Sequence, residues 1–92
     1  MLSEDELSRW RIMLAQVERF AARENYIDAV ARARILVGLC RQAAEKAPDD
    51  PRVAGLLATA SARLEQLEAE FLERNRAIRE RRLSGLRENV ES

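Results

Sequence analysis

The chain has 92 residues, of which 47% are hydrophobic and 35% charged, with 16 basic side chains, 16 acidic side chains and no histidine. This length suits one small domain and not two. One cysteine cannot form an internal disulfide, and the lack of histidine excludes most zinc sites and histidine acid–base catalysis. The balanced charge provides no overall attraction to nucleic acid. The longest apolar run, six residues ending at Cys40, is far shorter than the roughly 20 residues of a membrane-spanning helix.

The first predicted helix begins after Ser3, and Glu6 three residues later completes a capping-box pattern. Apolar residues then recur at alternating steps of three and four, which is typical of an amphipathic helix. They are Leu7, Trp10, Leu14, Val17 and Ala21, with Ile12, Met13 and Phe20 widening the stripe. We expect this helix to end near residues 23–25, where Asn25 can adopt the left-handed conformation that reverses the chain.

The second predicted helix runs from about Tyr26 to Ala47, with Asn25 as its N-cap. It is apolar around most of its girth, which predicts a central helix packed on two sides. Gly38 within it costs about 1 kcal/mol of helix propensity relative to alanine, and we attribute it to the close approach of a neighbouring helix. Cys40 lies in the most apolar stretch of the chain and is expected to be a packed thiol.

The third predicted helix has Asp50 as its N-cap and Pro51 as its first residue. It follows a heptad repeat that continues to Ile78, although Arg74 and Arg81 occupy two of the core-facing positions. The apolar members before Ile78 are Val53, Leu57, Ala60, Leu64, Leu67 and Phe71. We expect the helix to end at about residue 83. The two shorter helices reach only as far as residues 71–74, so the remainder of the third should project beyond them.

These elements predict an all-α fold, a three-helix arrangement in which an N-terminal helical hairpin packs on a long C-terminal helix with coiled-coil character. Residues 1–84 are expected to form a single helical domain and residues 85–92 a frayed C-terminal tail. Trp10, Phe20 and Phe71 are expected to be core anchors.

Residues 25–60 have an aromatic residue just after a tight turn (Tyr26), alanines at small-residue positions, and a P-D-D-P linker into the next helix. In these features the segment resembles a tetratricopeptide-type or MIT-type helical hairpin. It departs from a tetratricopeptide repeat because the second helix is too long for a 34-residue unit and no second copy of the period follows. The resemblance implies a helical hairpin with a groove, and no ligand-binding residue carries over.

An arginine-rich stretch follows the heptads: residues 74–87 contain six arginines and one glutamate. Such a stretch can be a solvated or coiled-coil helix end, a binding site for nucleic-acid phosphates, or a site for an acidic protein. Residues 65–73 are acidic, and Glu70 is placed to pair with Arg74 four residues later. The order of acidic and basic blocks favours antiparallel pairing of two such helices over parallel pairing, which would bring Arg74 and Arg81 against their own copies.

The sequence therefore predicts a non-catalytic protein–protein interaction or assembly module that self-associates, preferably as an antiparallel dimer, or docks a larger helical partner. The residues expected to bind the partner are Phe71, Arg74, Ile78, Arg81, Arg82, Leu83 and Leu86. One alternative is a nucleic-acid-binding regulator that contacts phosphates through Arg74, Arg76, Arg79, Arg81 and Arg82. Another is a helical-hairpin chaperone or secretion adaptor.

We expect no enzymatic activity, because the serines have no histidine to activate them and no glycine-rich phosphate-binding loop is present. No metal site and no cofactor are expected. Fifteen of the 16 basic residues are arginine, and Lys46 is the single lysine. We interpret this bias as that of a GC-rich genome, and we expect a bacterial cytoplasmic protein.

Overall fold

The computed structural model describes the backbone of residues 3–91 and the side chains of residues 3–85. Within this range the chain forms three helices, α1 (Glu4–Ala22), α2 (Tyr26–Lys46) and α3 (Pro51–Glu91), and no strand. The predicted all-α fold is thus confirmed. Both α1 and α3 pack against α2, and they contact each other much less. The hairpin α1–α2 therefore lies along α3 with α2 in the centre, as its nearly uniform apolar character predicts.

Side-chain caps begin all three helices where the sequence predicts them. The Ser3 hydroxyl accepts a hydrogen bond from the Glu6 N–H at 3.2 Å. Asn25 Oδ1 accepts one from the Asp28 N–H at 3.4 Å. At the start of α3, Asp50 Oδ1 accepts the Arg52 N–H at 2.9 Å. Each cap satisfies a backbone donor that has no partner within the first turn, so these short polar residues position the helix starts.

The turn between α1 and α2 differs from the prediction in one residue. Glu24, and not Asn25, takes the left-handed conformation, with φ 60°. The Asn25 N–H donates to the Phe20 carbonyl at 2.9 Å and the Glu24 N–H donates to the Ala21 carbonyl at 3.0 Å, which is the hydrogen-bond pattern of a Schellman motif. Asn25 has φ −87° because it serves as the N-cap of α2, so the residue before it reverses the chain.

The core is a continuous apolar seam along α2. One cluster at the α1–α2 turn contains Val17, Val30 and Leu67, and the next contains Leu36 and Cys40. Leu64 packs against both clusters and joins them. Among the described side chains no polar or charged residue is buried, so burial of apolar surface stabilises the bundle without a desolvation penalty. Trp10 and Phe20 pack against these clusters from α1, as predicted.

One face of α2 is left uncovered, contrary to part of the sequence interpretation. Ile27 is 69% exposed and Ile35 is 55% exposed. Gly38 lies on the same side, and a Cβ built on it would meet no atom within 4 Å. The predicted close approach at Gly38 is therefore wrong. Ile12 also faces outward on α1, at 58% exposed. In a three-helix arrangement each helix has only two neighbours, so an apolar residue on its third side stays in contact with solvent.

The third helix is longer than predicted. It continues through Gly85 to Glu91 and spans 41 residues, about 61 Å at 1.5 Å per residue. The predicted end near residue 83 is wrong because one glycine lowers helix propensity by only about 1 kcal/mol and ends a helix chiefly when it adopts a positive φ. Gly85 has no positive φ. The long α3 gives the molecule its overall extent of 67 × 21 × 14 Å.

Candidate interaction surface on the third helix

Among the described side chains of α3, Arg74 is the one farthest along the helix that forms a hydrogen bond or ion pair with the rest of the bundle. Its Nη1 donates to Glu24 Oε2 at 2.8 Å, and its guanidinium lies 5.6 Å from the centre of the Tyr26 ring. The hydrogen bond from Arg74 to Glu24 raises the pKa of the guanidinium above its ordinary value. Arg74 therefore pairs with the α1–α2 turn and not with Glu70 as the sequence predicted. Arg74, which was expected to bind a partner, therefore already makes contacts within its own chain.

Residues 75–91 form the projecting segment of α3, which extends about 25 Å beyond Arg74. All side chains from residue 75 to residue 84 are exposed. Ile78 is 40% exposed and Leu83 is 52% exposed. Leu86 lies outside the described side chains. The projection is the one that the unequal helix lengths predicted, and it leaves apolar groups in water that a lone helix has no means of covering.

The arginines of the projecting segment differ in how they are paired. Arg76 contacts Glu80 at 3.4 Å one turn along the same helix. Arg79, Arg81 and Arg82 form no ion pair with any of the described side chains. These three guanidiniums are therefore available to carboxylates or phosphates of another molecule.

Phe71 and Leu72 line a shallow groove between α2 and α3, next to the start of the projecting segment. The groove has a volume of about 380 Å³, and its apolar walls on α2 come from Ile27, Val30 and Ala31. At one end Arg34 Nε contacts Glu68 Oε1 at 3.5 Å. Phe71 is half-buried, so only part of the ring of this predicted binding residue is accessible. Phe71 is not among the residues that pack against either core cluster, so its role as a core anchor stays a prediction.

Three apolar residues on this side of the molecule are exposed although the sequence pattern did not indicate it: Ile27, Ile35 and Leu72. Leu72 is 67% exposed, and it lies outside the core-facing heptad positions, which is the signal that would have identified it. Ile27 and Ile35 are eight residues apart on α2 and therefore lie on one side of the helix. With α2 apolar nearly all round, the sequence alone does not say which side stays open.

Other chemical sites are sparse in the part of the chain that the structure describes. The Cys40 thiol is buried, and burial raises its pKa. Residues 3–85 contain no group of three or more Cys, Asp or Glu side chains placed to hold a metal ion. Of the helical stretches described, none is both long enough and apolar enough to cross a membrane.

Comparisons with protein-family models, with curated proteins and with solved structures found no match. Inference about function therefore depends on the surface of α3 and its surroundings.

Proposed function

We propose that this chain is a non-catalytic protein-interaction module of the bacterial cytoplasm that self-associates or docks a larger helical partner through the end of its third helix. The observation that carries the proposal is the projecting segment, a helix about 25 Å long in which Ile78 and Leu83 are exposed, as are all the other side chains of residues 75–84.

The heptad face supports this proposal because it is divided between two environments. Val53, Ala60 and Leu67 are at most 1% exposed, since α1 and α2 already cover them. The same stripe continues past Arg74 to Ile78 without cover. A helix that keeps exposed apolar residues beyond its own bundle gains free energy, about 25 cal/mol per Å² of apolar surface, when another helix buries any part of that surface.

Arg79, Arg81 and Arg82, which pair with no carboxylate within residues 3–85, support a partner with carboxylates on its surface. Arg81 and Arg82 directly precede Leu83 in the sequence. Charged groups at the rim of an apolar contact orient the partner and make association sensitive to salt, whereas the buried apolar groups supply most of the affinity.

The test is the solution mass by light scattering after size exclusion, at two protein concentrations tenfold apart. Association of the wild-type chain above its monomer mass of 10.5 kDa is expected, and an Ile78→Glu/Leu83→Glu variant should stay monomeric. Ile12→Glu is the matched control, because Ile12 is as exposed as Leu83 but lies on α1. Association that persists in the double variant would remove the projecting segment from the proposal.

A second candidate is nucleic-acid binding through phosphate contacts, favoured by the guanidiniums of Arg79, Arg81 and Arg82, which form no ion pair with any side chain that the structure describes. This function requires affinity that falls steeply with salt, because binding releases counterions from the phosphates. A gel-shift titration at two salt concentrations tests it. Binding should vanish in an Arg79→Ala/Arg82→Ala variant and persist in an Arg9→Ala/Arg11→Ala control on α1, which removes the same charge.

A further inference from the structure

Along one outer face of α3, acidic and basic residues lie at matched distances from a single exposed leucine. Glu68 and Arg76 are each four residues from Leu72, and Glu65 and Arg79 are each seven residues from it. At 100° per residue all five fall within about 40° of the same direction on the helix. Glu65, Leu72, Arg76 and Arg79 are exposed, and Glu68 is half-exposed. The face is thus acidic before Leu72 and basic after it.

We propose that a second copy of this chain binds this face, antiparallel to the first, with a two-fold axis that passes beside Leu72. The inference rests on the proposed function and specifies its partner. A two-fold axis at that level brings Glu65 and Glu68 of one copy alongside Arg76 and Arg79 of the other, twice in the dimer. A surface is complementary to itself in this way only when its charges invert about the axis.

The free pairing capacity of the face agrees with this arrangement. Glu65 and Arg79 make no ion pair with any described side chain. Glu68 and Arg76 have only exposed contacts, with Arg34 at 3.5 Å and with Glu80 at 3.4 Å. Exposed pairs of this kind hold their side chains weakly. The four charged side chains can therefore form ion pairs with a second copy at little cost to the stability of the first.

Apolar surface gathers near the axis. Leu72 is 67% exposed and Ile27, which lines the same groove between α2 and α3, is 69% exposed. In the dimer, the Leu72 side chains of both copies and the Ile27 side chains of both copies therefore lie close to the two-fold axis. Farther out, Leu83 of one copy lies opposite Ser61 of the other, because both are eleven residues from Leu72. A large side chain facing a small one allows two helices to approach closely.

This arrangement also places the projecting segment. Residues after Leu72 of one copy run beside the earlier half of α3 of the other, next to its α2. Each projecting segment is thereby supported by the partner's bundle along its length. Ile78 lies about 120° around the helix from Leu72, so Leu83, and not Ile78, is the apolar residue of the segment that this contact buries.

A charge-exchange experiment tests the pairing. One variant carries Glu65→Arg and Glu68→Arg, and a second carries Arg76→Glu and Arg79→Glu. In the homodimer of either variant, like charges face each other. The dissociation constant of that homodimer should therefore be at least tenfold higher than that of the wild-type dimer. An equimolar mixture of the two restores opposite charges at every position and should return the dissociation constant to within threefold of wild type. A mixture as weak as either variant alone would overturn the inference.

Crosslinking tests the direction and the axis. In a Cys40→Ala background, a Leu72→Cys variant should form a covalent dimer with a short bis-maleimide reagent. A Leu83→Cys variant should not form one. In the antiparallel pair, residue 83 of one copy lies opposite residue 61 of the other, so the two thiols are separated by 22 residues along the helix, about 33 Å. Efficient crosslinking at both positions would indicate a parallel pair and contradict the proposal.

Failure of this inference can be distinguished from failure of the proposed function. Suppose that the Ile78→Glu/Leu83→Glu variant is monomeric but that mixing the two charge variants does not restore association. The proposed function then stands, and the two-fold arrangement is overturned. A strictly monomeric wild-type chain overturns the two-fold arrangement and leaves only a different protein as partner.

Discussion

The two halves of α3 follow the same heptad rule and have different environments. Up to Phe71 the stripe packs against α1 and α2, with Val53 and Leu67 at 0% exposure, whereas Ile78 is 40% exposed one heptad later. The difference does not lie in local sequence, since both halves are amphipathic and helical. It lies in the lengths of α1 and α2, because the turn that joins them lies level with Arg74. The heptad repeat thus indicates which residues of a helix are available for packing. The lengths of the neighbouring helices determine whether those residues pack within the same chain or remain exposed for another molecule.

The largest expected effect separates the two halves by stability. Leu36→Ala removes a fully buried side chain and should lower the free energy of unfolding by about 2–5 kcal/mol, because it leaves a cavity in a packed core. Leu83→Ala, in the projecting segment, should change it by less than about 0.5 kcal/mol. Urea unfolding at a low protein concentration measures both. Equal losses would mean that the projecting segment is packed in the monomer.

A smaller effect in the opposite direction is expected at Gly38 on the open face of α2. Gly38→Ala should raise the free energy of unfolding by about 1 kcal/mol, since alanine is the better helix former and a Cβ there meets no atom within 4 Å. Urea unfolding of the variant and wild type gives the difference. A loss of stability would show that something approaches Gly38 closely, as the sequence interpretation first suggested.

The pH dependence of folding should report on the start of α3. Hydrogen bonds from Arg52 hold the pKa of the Asp50 carboxyl below its ordinary value. The folded state therefore binds the proton less readily than the unfolded state. The stabilisation is complete above the unfolded pKa of about 3.9 and is lost as the pH falls through the lower folded value.

Asp50→Asn keeps a side-chain oxygen for the cap but removes the titration. Thermal unfolding from pH 5 down to pH 2.5 should show a shallower decline for this variant than for wild type. Identical slopes would show that other carboxylates determine the acid sensitivity.

The smallest effect is expected at the boundary between the two halves. Arg74→Ala removes the contacts with Glu24 and Tyr26 and should lower the melting temperature slightly, while association measured by light scattering stays unchanged. Arg81→Ala, seven residues farther along, should leave the melting temperature unchanged. Circular dichroism measures the melting of both. Weaker association of the Arg74→Ala variant would show that Arg74 belongs to the partner-binding surface, as the sequence predicted.

Much of the fold was accessible from sequence patterns because helix starts depend on local chemistry. Ser3, Asn25 and Asp50 each cap the helix that they were expected to cap. The end of α3 was predicted less well, since Gly85 permits a helix to end without requiring it. The candidate surface was predicted in part: Ile78 and Leu83 are exposed, whereas the open side of the bundle at Ile27 and Leu72 was missed.

By itself, the sequence determined that this protein is three capped helices, the third much longer than the others, since hydrophobic period, caps and the Pro51 break act over a few residues. Only the tertiary structure decided which apolar residues remain in water and which charges are already paired. Arg74 pairs with Glu24 because the α1–α2 turn lies at its level. Leu72 lies at the groove between α2 and α3 and stays 67% exposed. Such outcomes depend on residues up to 50 positions apart and therefore on packing, which local patterns do not encode.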